Sequence, residues 1–240
     1  MKKLFDLRRV GNKPVDIVGG MTFDWQQSAY KGKFIWGGGY DNNGLYFNGN
    51  QNLISTNISN LLKYSTFKNF TVILTFRHEK LRYEEQQFLN FTSDGNPWNS
   101  DHGFRVRIYY IDTSTSFHPS FEYWKDKRLD LEESTSGIKG MNFLTEIYDK
   151  TVYEFQYSNK MLLYFNGNNI NKTGKTYTCT HTNFSDLSVL KIGGFVGGGF
   201  NLCCNGWLYN LRIYDGLYHH ANYNKEVPFY QNQYCNLKFK

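Results

Sequence analysis

Residues 70–77 read Phe-Thr-Val-Ile-Leu-Thr-Phe-Arg, and this alternation restricts the fold more than any other feature of the chain. Successive side chains of an extended strand point to opposite faces. Phe70, Val72, Leu74 and Phe76 therefore share one face, and Thr71, Ile73, Thr75 and Arg77 the other. The period recurs. Phe104, Val106, Ile108 and Tyr110 stand against Arg105, Arg107 and Tyr109, and Tyr153, Phe155 and Tyr157 against Glu154 and Gln156. Residues 161–167, 187–194 and 206–214 continue the series between Gly and Asn punctuation. Such alternation predicts half-buried antiparallel strands. Helical periodicity is nearly absent; 57–65 and 217–226 have room for one turn each. Many short strands with almost no helix predict a sandwich, jelly roll or barrel.

The string Leu-Tyr-Phe-Asn-Gly-Asn occurs at 45–50 and again at 163–168. A duplicated unit would carry its likeness well beyond six residues, and the flanks here are unlike. Each copy reads as a strand running into an Asn-Gly turn, which tolerates positive φ. No low-complexity linker divides the 240 residues, so one domain is expected over 21–227, with an N-terminal arm at 1–20 and a tail at 228–240. A chain of this length buries enough surface to need neither metal nor disulfide. Its 19 Tyr and 20 Phe supply large core side chains, with Tyr also able to sit at a wet rim.

The formal charge is +6, yet the basic residues are scattered: Lys2, Lys3, Arg8 and Arg9, then Lys125, Lys127 and Arg128, then Lys238 and Lys240. No basic stripe interleaves with aromatics, so ordinary solvated charge is expected, with no specific nucleic-acid partner. The opening residues lack the apolar stretch of a secretory signal, and no run approaches the ~20 apolar residues of a spanning helix. Cytoplasmic synthesis without membrane insertion is the expectation. Cys203 and Cys204 are adjacent, which fits no zinc spacing. One is expected in the core and one outside, and a link from Cys179 to either is left open.

In order, 44–56, 70–77, 152–167, 187–194 and 205–217 resemble the laminin-G-like, concanavalin A-like lectin jelly roll. Phe47–Gly49 matches its early Leu-x-Phe-x-Gly strand, and Tyr164–Gly167 its later hairpin strand. Leu190, Ile192 and Gly193 match its Ile-Gly strand, and Gly206, Leu208, Arg212, Ile213 and Tyr214 its final Arg-Ile-Tyr strand. The resemblance implies an all-β, antiparallel two-sheet β-sandwich. It covers roughly residues 44–220 and is weakest over 78–145.

Such a fold implies either glycan hydrolysis or glycan and protein binding, so side chains must decide. Related β-glucanases carry Glu-x-Asp-x-x-Glu on one strand. Asp130 and Glu132 share a face here, but Thr135 stands where the third acid belongs. Glu84 and Glu85 are adjacent and diverge. No catalytic residue is therefore assigned and no enzyme is expected. The site-like stretch is 91–104, where Asp94, Asn96, Trp98, Asn99 and Asp101 lie between two strands. An indole can lie on a sugar face while acids and amides take its hydroxyls, and calcium would suit the same oxygens. No cofactor is otherwise implied. The Gly-rich 193–201 and Trp36 are weighed as well, the first as a turn and the second as a core or rim side chain.

The expectation is a non-catalytic virion component, a decoration or appendage made in a host cytoplasm, with other virion proteins and surface glycans as partners. Oligomers are compatible with it. A cellular carbohydrate-binding domain is the alternative, and a glycosidase using Asp130 and Glu132 ranks last.

Overall fold

The computed structural model describes residues 2–37, 44–55, 69–79, 85–93, 102–110, 117–125, 128–133, 151–157, 161–165, 168–169, 187–197 and 200–217. The helical turns expected at 57–65 and beyond 217, the tail at 228–240, Cys179 and Cys235 lie outside them. Among the described residues the chain forms antiparallel strands and one turn of 3-10 helix at Ser28–Tyr30.

Among the described residues the larger sheet has nine strands. Its order is β14 (Asn168–Asn169), β13 (Met161–Phe165), β12 (Thr151–Tyr157), β7 (Phe70–His78), β18 (Asn205–Asp215), β1 (Lys2–Val10) and β2 (Lys13–Asp16). β5 (Gly44–Asn48) also pairs with β18 and carries β4 (Trp36–Gly37) on its far side. The seven-stranded sheet runs β11 (Arg128–Glu133), β10 (Phe117–Lys125), β9 (His102–Tyr110), β8 (Gln86–Thr92), β15 (Val189–Ile192), β6 (Leu53–Ser55) and β3 (Phe23–Trp25). A short ribbon of β16 (Val196–Gly197) and β17 (Phe200–Asn201) completes the set. The expected two-sheet β-sandwich is therefore the fold. The two copies of the six-residue string fall in β5 and in the β13–β14 hairpin, on different strands of one sheet.

The core follows from the alternation. Phe70, Val72, Leu74 and Phe76 are buried from one sheet; Phe104, Val106 and Ile108 are buried from the other. Rings stitch the layers together: Phe70 lies 5.1 Å from Phe104, Phe76 lies 5.3 Å from Phe88, and Phe121 lies 5.9 Å from Phe155 between centroids. Edge-to-face and tilted geometries of this kind add to the area term.

Residues 1–20, expected as an arm, hold β1 and β2. β1 pairs with β18 from Lys2↔Asp215 to Asp6↔Arg212, and Leu4, Phe5 and Leu7 are buried. The two cysteines correct a second expectation, since Cys203 and Cys204 are both fully buried. Cys204 sits in the core and its Sγ donates to the Gln87 carbonyl at 3.2 Å; burial pushes its thiol well above the usual range. Cys203 is covered from the other side by the 193–194 backbone. A Cβ on Gly194, whose φ is +148°, would lie 2.5 Å from the Cys203 Cα. That contact also explains the Gly-rich stretch: its first glycines let backbone lie directly on the core.

Alternation predicted sheets with one wet face, but the polar face of the seven-stranded sheet is buried too. Gln87, Asn90, Arg105, Arg107, Ser120, Glu122 and Lys191 are each under a tenth exposed. Scattered basic residues are thus not all surface charge.

Candidate functional site

β18 is the longest strand described, and its two edges differ. β7 follows one edge throughout, with a register shift around Tyr209. The other edge is shared: β5 pairs with Asn205–Leu208 and β1 with Arg212–Asp215. After Asp6, β1 turns away to pair with β2, starting at Leu7↔Asp16. Among the described residues, no strand pairs with 209–211 on that side. A notch of about 160 Å³ opens there, lined by Leu7, Arg8, Arg9, Trp36, Leu45, Leu208, Tyr209 and Asn210.

Leu7, Leu45 and Leu208 belong to the core and form an apolar floor. Around them the rim is polar and fixed. Trp36 is half-buried, packs on the core, and donates its indole N–H to the Asn12 carbonyl at 3.1 Å. The Arg9 guanidinium carbon lies 5.4 Å from the Trp36 ring centroid, a cation–π distance, while its Nε donates to the Gly11 carbonyl at 3.0 Å. Asn210 Nδ2 donates to Thr75 Oγ1 at 2.8 Å. The Tyr209 ring lies beside Gly44, where a Cβ would come within 2.9 Å of the ring carbon Cε1.

The electrostatics beside the notch are one-sided. Asp6 is buried; it accepts from Lys3 Nζ at 2.8 Å and Arg8 Nη2 at 3.3 Å, and pairs ionically with Arg8 Nε at 2.8 Å and Arg212 Nε at 3.6 Å. One carboxylate thus faces three cations. Asp16 spends both oxygens on the backbone N–H groups of Asp6, Val18 and Gly19 at 2.9–3.0 Å. Burial pushes its carboxyl above the usual range despite those donors. Among the described residues the notch lining holds two guanidiniums and no carboxylate.

A second polar constellation lies on the buried polar face. Cross-strand register lines up Glu122, Arg105, Asn90 and Lys191 over β10, β9, β8 and β15. Glu122 pairs with both Arg105 and Arg107. Glu85 takes Arg107 Nη1 at 2.5 Å, Arg105 Nη1 at 3.6 Å and the Gln87 amide at 2.5 Å. Arg107 Nε donates to Ser120 Oγ at 2.9 Å. Both oxygens of both carboxylates are engaged, which leaves neither positioned to attack or protonate a substrate. The chemistry of this group is cross-linking of strands.

Asp94, Asn96, Trp98, Asn99 and Asp101 lie outside the described residues, as do the side chains of Asp130 and Glu132. Among the described residues no three His, Cys, Asp or Glu side chains gather as metal ligands, and no helix is long and apolar enough to cross a membrane. Sequence reasoning placed Trp36 at the core or rim, where it is, and passed over Arg8, Arg9, Tyr209 and Asn210. These residues meet only because β5 and β1 share one edge of β18, and no local spacing signals that.

No protein-family model matches the chain, and no curated protein sequence matches it. Solved structures do. The binding domain of botulinum neurotoxin serotype G superposes with a TM-score of 0.66 at 13% identity, over 94% of this chain and 50% of that one. Domain 4 of AbnA, an extracellular arabinanase of Geobacillus stearothermophilus in complex with arabinotriose, gives 0.57 at 15% identity, over 93% and 97%. A Trypanosoma rangeli sialidase gives 0.54 at 14% identity, over 90% and 31%. The chain spans about half the length of the neurotoxin binding domain it matches. At these identities the likeness establishes the β-sandwich fold.

Proposed function

We propose that the protein is a non-catalytic attachment domain that seats one sugar ring of a glycan in the notch beside β18. The observation that carries this is the lining: an apolar floor of three leucines under a rim of Trp36, Tyr209, Asn210 and two arginines. A sugar ring has an apolar face and a polar periphery, and a few fixed polar groups suffice to orient such a ligand. A cavity of ~150 Å³ accommodates one six-membered ring, and this notch is of that size. The carboxylates on the buried polar face are taken up by arginines, in keeping with binding rather than hydrolysis. Two of the similar folds are a toxin's binding domain and an arabinanase domain in complex with arabinotriose, which supports the same reading.

A glycan array tests it. Binding to at least one glycan is expected, with roughly tenfold loss in Trp36→Ala measured where that variant is still folded. An array silent for the native protein would end the proposal. Its finer setting, which we also propose, is display on a virus particle beside other virion proteins; absence of the protein from purified particles removes that part and leaves a cellular glycan-binding domain.

A further inference from the structure

We infer that the ring taken by the notch is the terminal sugar of its glycan and carries a carboxylate, read by Arg9. This rests on the notch being the binding site. Three observations carry the added claim.

The first is the shape of the notch along β18. It is stopped at one end by β5, which pairs as far as Leu208, and at the other by β1, which pairs from Arg212. A chain of sugars lying along the sheet would have to displace one of those strands. A single ring entering end-on displaces nothing.

The second is the state of the two arginines. Arg8 is consumed by Asp6: its Nε and Nη2 reach the two carboxylate oxygens at 2.8 and 3.3 Å. Arg9 is exposed and differently held. Its Nε is tied to the Gly11 carbonyl and its guanidinium carbon lies over the Trp36 ring, so its position is set by groups that carry no negative charge. What it presents is a pre-positioned fork of terminal N–H groups, the geometry that takes a carboxylate through two parallel bonds.

The third is the charge around the notch. Among the described residues no Asp or Glu lines it, and the buried Asp6 beside it is outnumbered by Lys3, Arg8 and Arg212. An uncharged sugar would leave this positive field unanswered, and an anionic one answers it.

The test is titration of the purified full chain with four matched oligosaccharides. One ends in a carboxylate sugar, one in its methyl ester, one in a sulfated sugar, and one carries the acid only at an internal position. Native protein is expected to prefer the terminal carboxylate roughly tenfold or more over the ester and over the internal acid. Arg9→Gln should erase that preference while melting at the native temperature, and Arg9→Lys should restore only part of it. Equal binding of ester and acid, or an unchanged preference in Arg9→Gln, overturns the inference while sparing the proposed function. A preference for the sulfated sugar overturns the carboxylate assignment, and tight binding of the internal acid overturns the terminal one. Acidic peptides that bind while no oligosaccharide does would overturn the inference and the proposed function together.

Discussion

The molecule uses pairs of arginines in two places, and they differ in one respect. On the polar face of the seven-stranded sheet, Arg105 and Arg107 are each under a tenth exposed and share two carboxylates, Glu85 and Glu122. Beside β18, Arg8 has its carboxylate and exposed Arg9 has an aromatic face instead. Burial forces the first pair into charge balance, because an unpaired buried charge costs several kcal/mol. The second pair escapes that requirement at the surface. It can hold a cation in reserve for something that arrives from outside. Residue type is the same; the surroundings decide which pair builds and which stays open to a ligand.

The comparison breaks most visibly at Glu122. Glu122→Gln should destabilise the fold by ~3 kcal/mol, because it leaves two buried guanidiniums with the single carboxylate of Glu85; urea unfolding measures it. A loss below about 1 kcal/mol would mean that the cluster is not a closed ionic unit.

Acid should distinguish the regions next. His78 is buried against Phe76 and Phe88, and desolvation pushes its imidazole down to about 3. The unfolded chain takes that proton below ~6.5 and the folded one does not, so its contribution to stability is complete above ~6.5 and is lost as pH falls toward 3. The slope is up to ~1.4 kcal/mol per pH unit. His78→Phe should flatten it, as followed by unfolding at pH 7, 6 and 5. Glycan binding at the notch is expected to hold over that range while the protein stays folded, since Arg9 keeps its charge.

The smallest expected effect falls on Arg9 itself. Arg9→Gln should change stability by no more than ~0.5 kcal/mol, in contrast to Glu122→Gln. Ionic strength sharpens the same contrast: 0.5 M salt should weaken binding of an acidic glycan and leave the buried cluster nearly untouched.

The strands that build the core were legible because their signal is local. Phe70, Val72, Leu74 and Phe76 announce a face within seven residues. Leu4, Phe5 and Leu7 were hidden by Lys2, Lys3, Arg8 and Arg9 around them, which read as a charged arm; β1 is nonetheless half-buried against β18. Cys203 and Cys204 defeated the simple alternation because a glycine backbone covers the side that should have been wet. The notch was out of reach for a different reason. Arg9, Trp36, Leu45 and Tyr209 are brought together by register between distant strands, and register is a property of pairs. The same holds for Arg105 with Glu122: each was visible alone, and only the pairing made a network.

Lys2 lies opposite Asp215, so β1 waits for a strand made roughly 200 residues later. Until that late segment emerges, Leu4 and Phe5 have no lasting place to pack. Contacts this distant slow folding and prolong exposure of sticky surface. The larger sheet therefore closes only after β18 has left the exit tunnel, and a product missing β18 would lose the central strand that both β1 and β7 need.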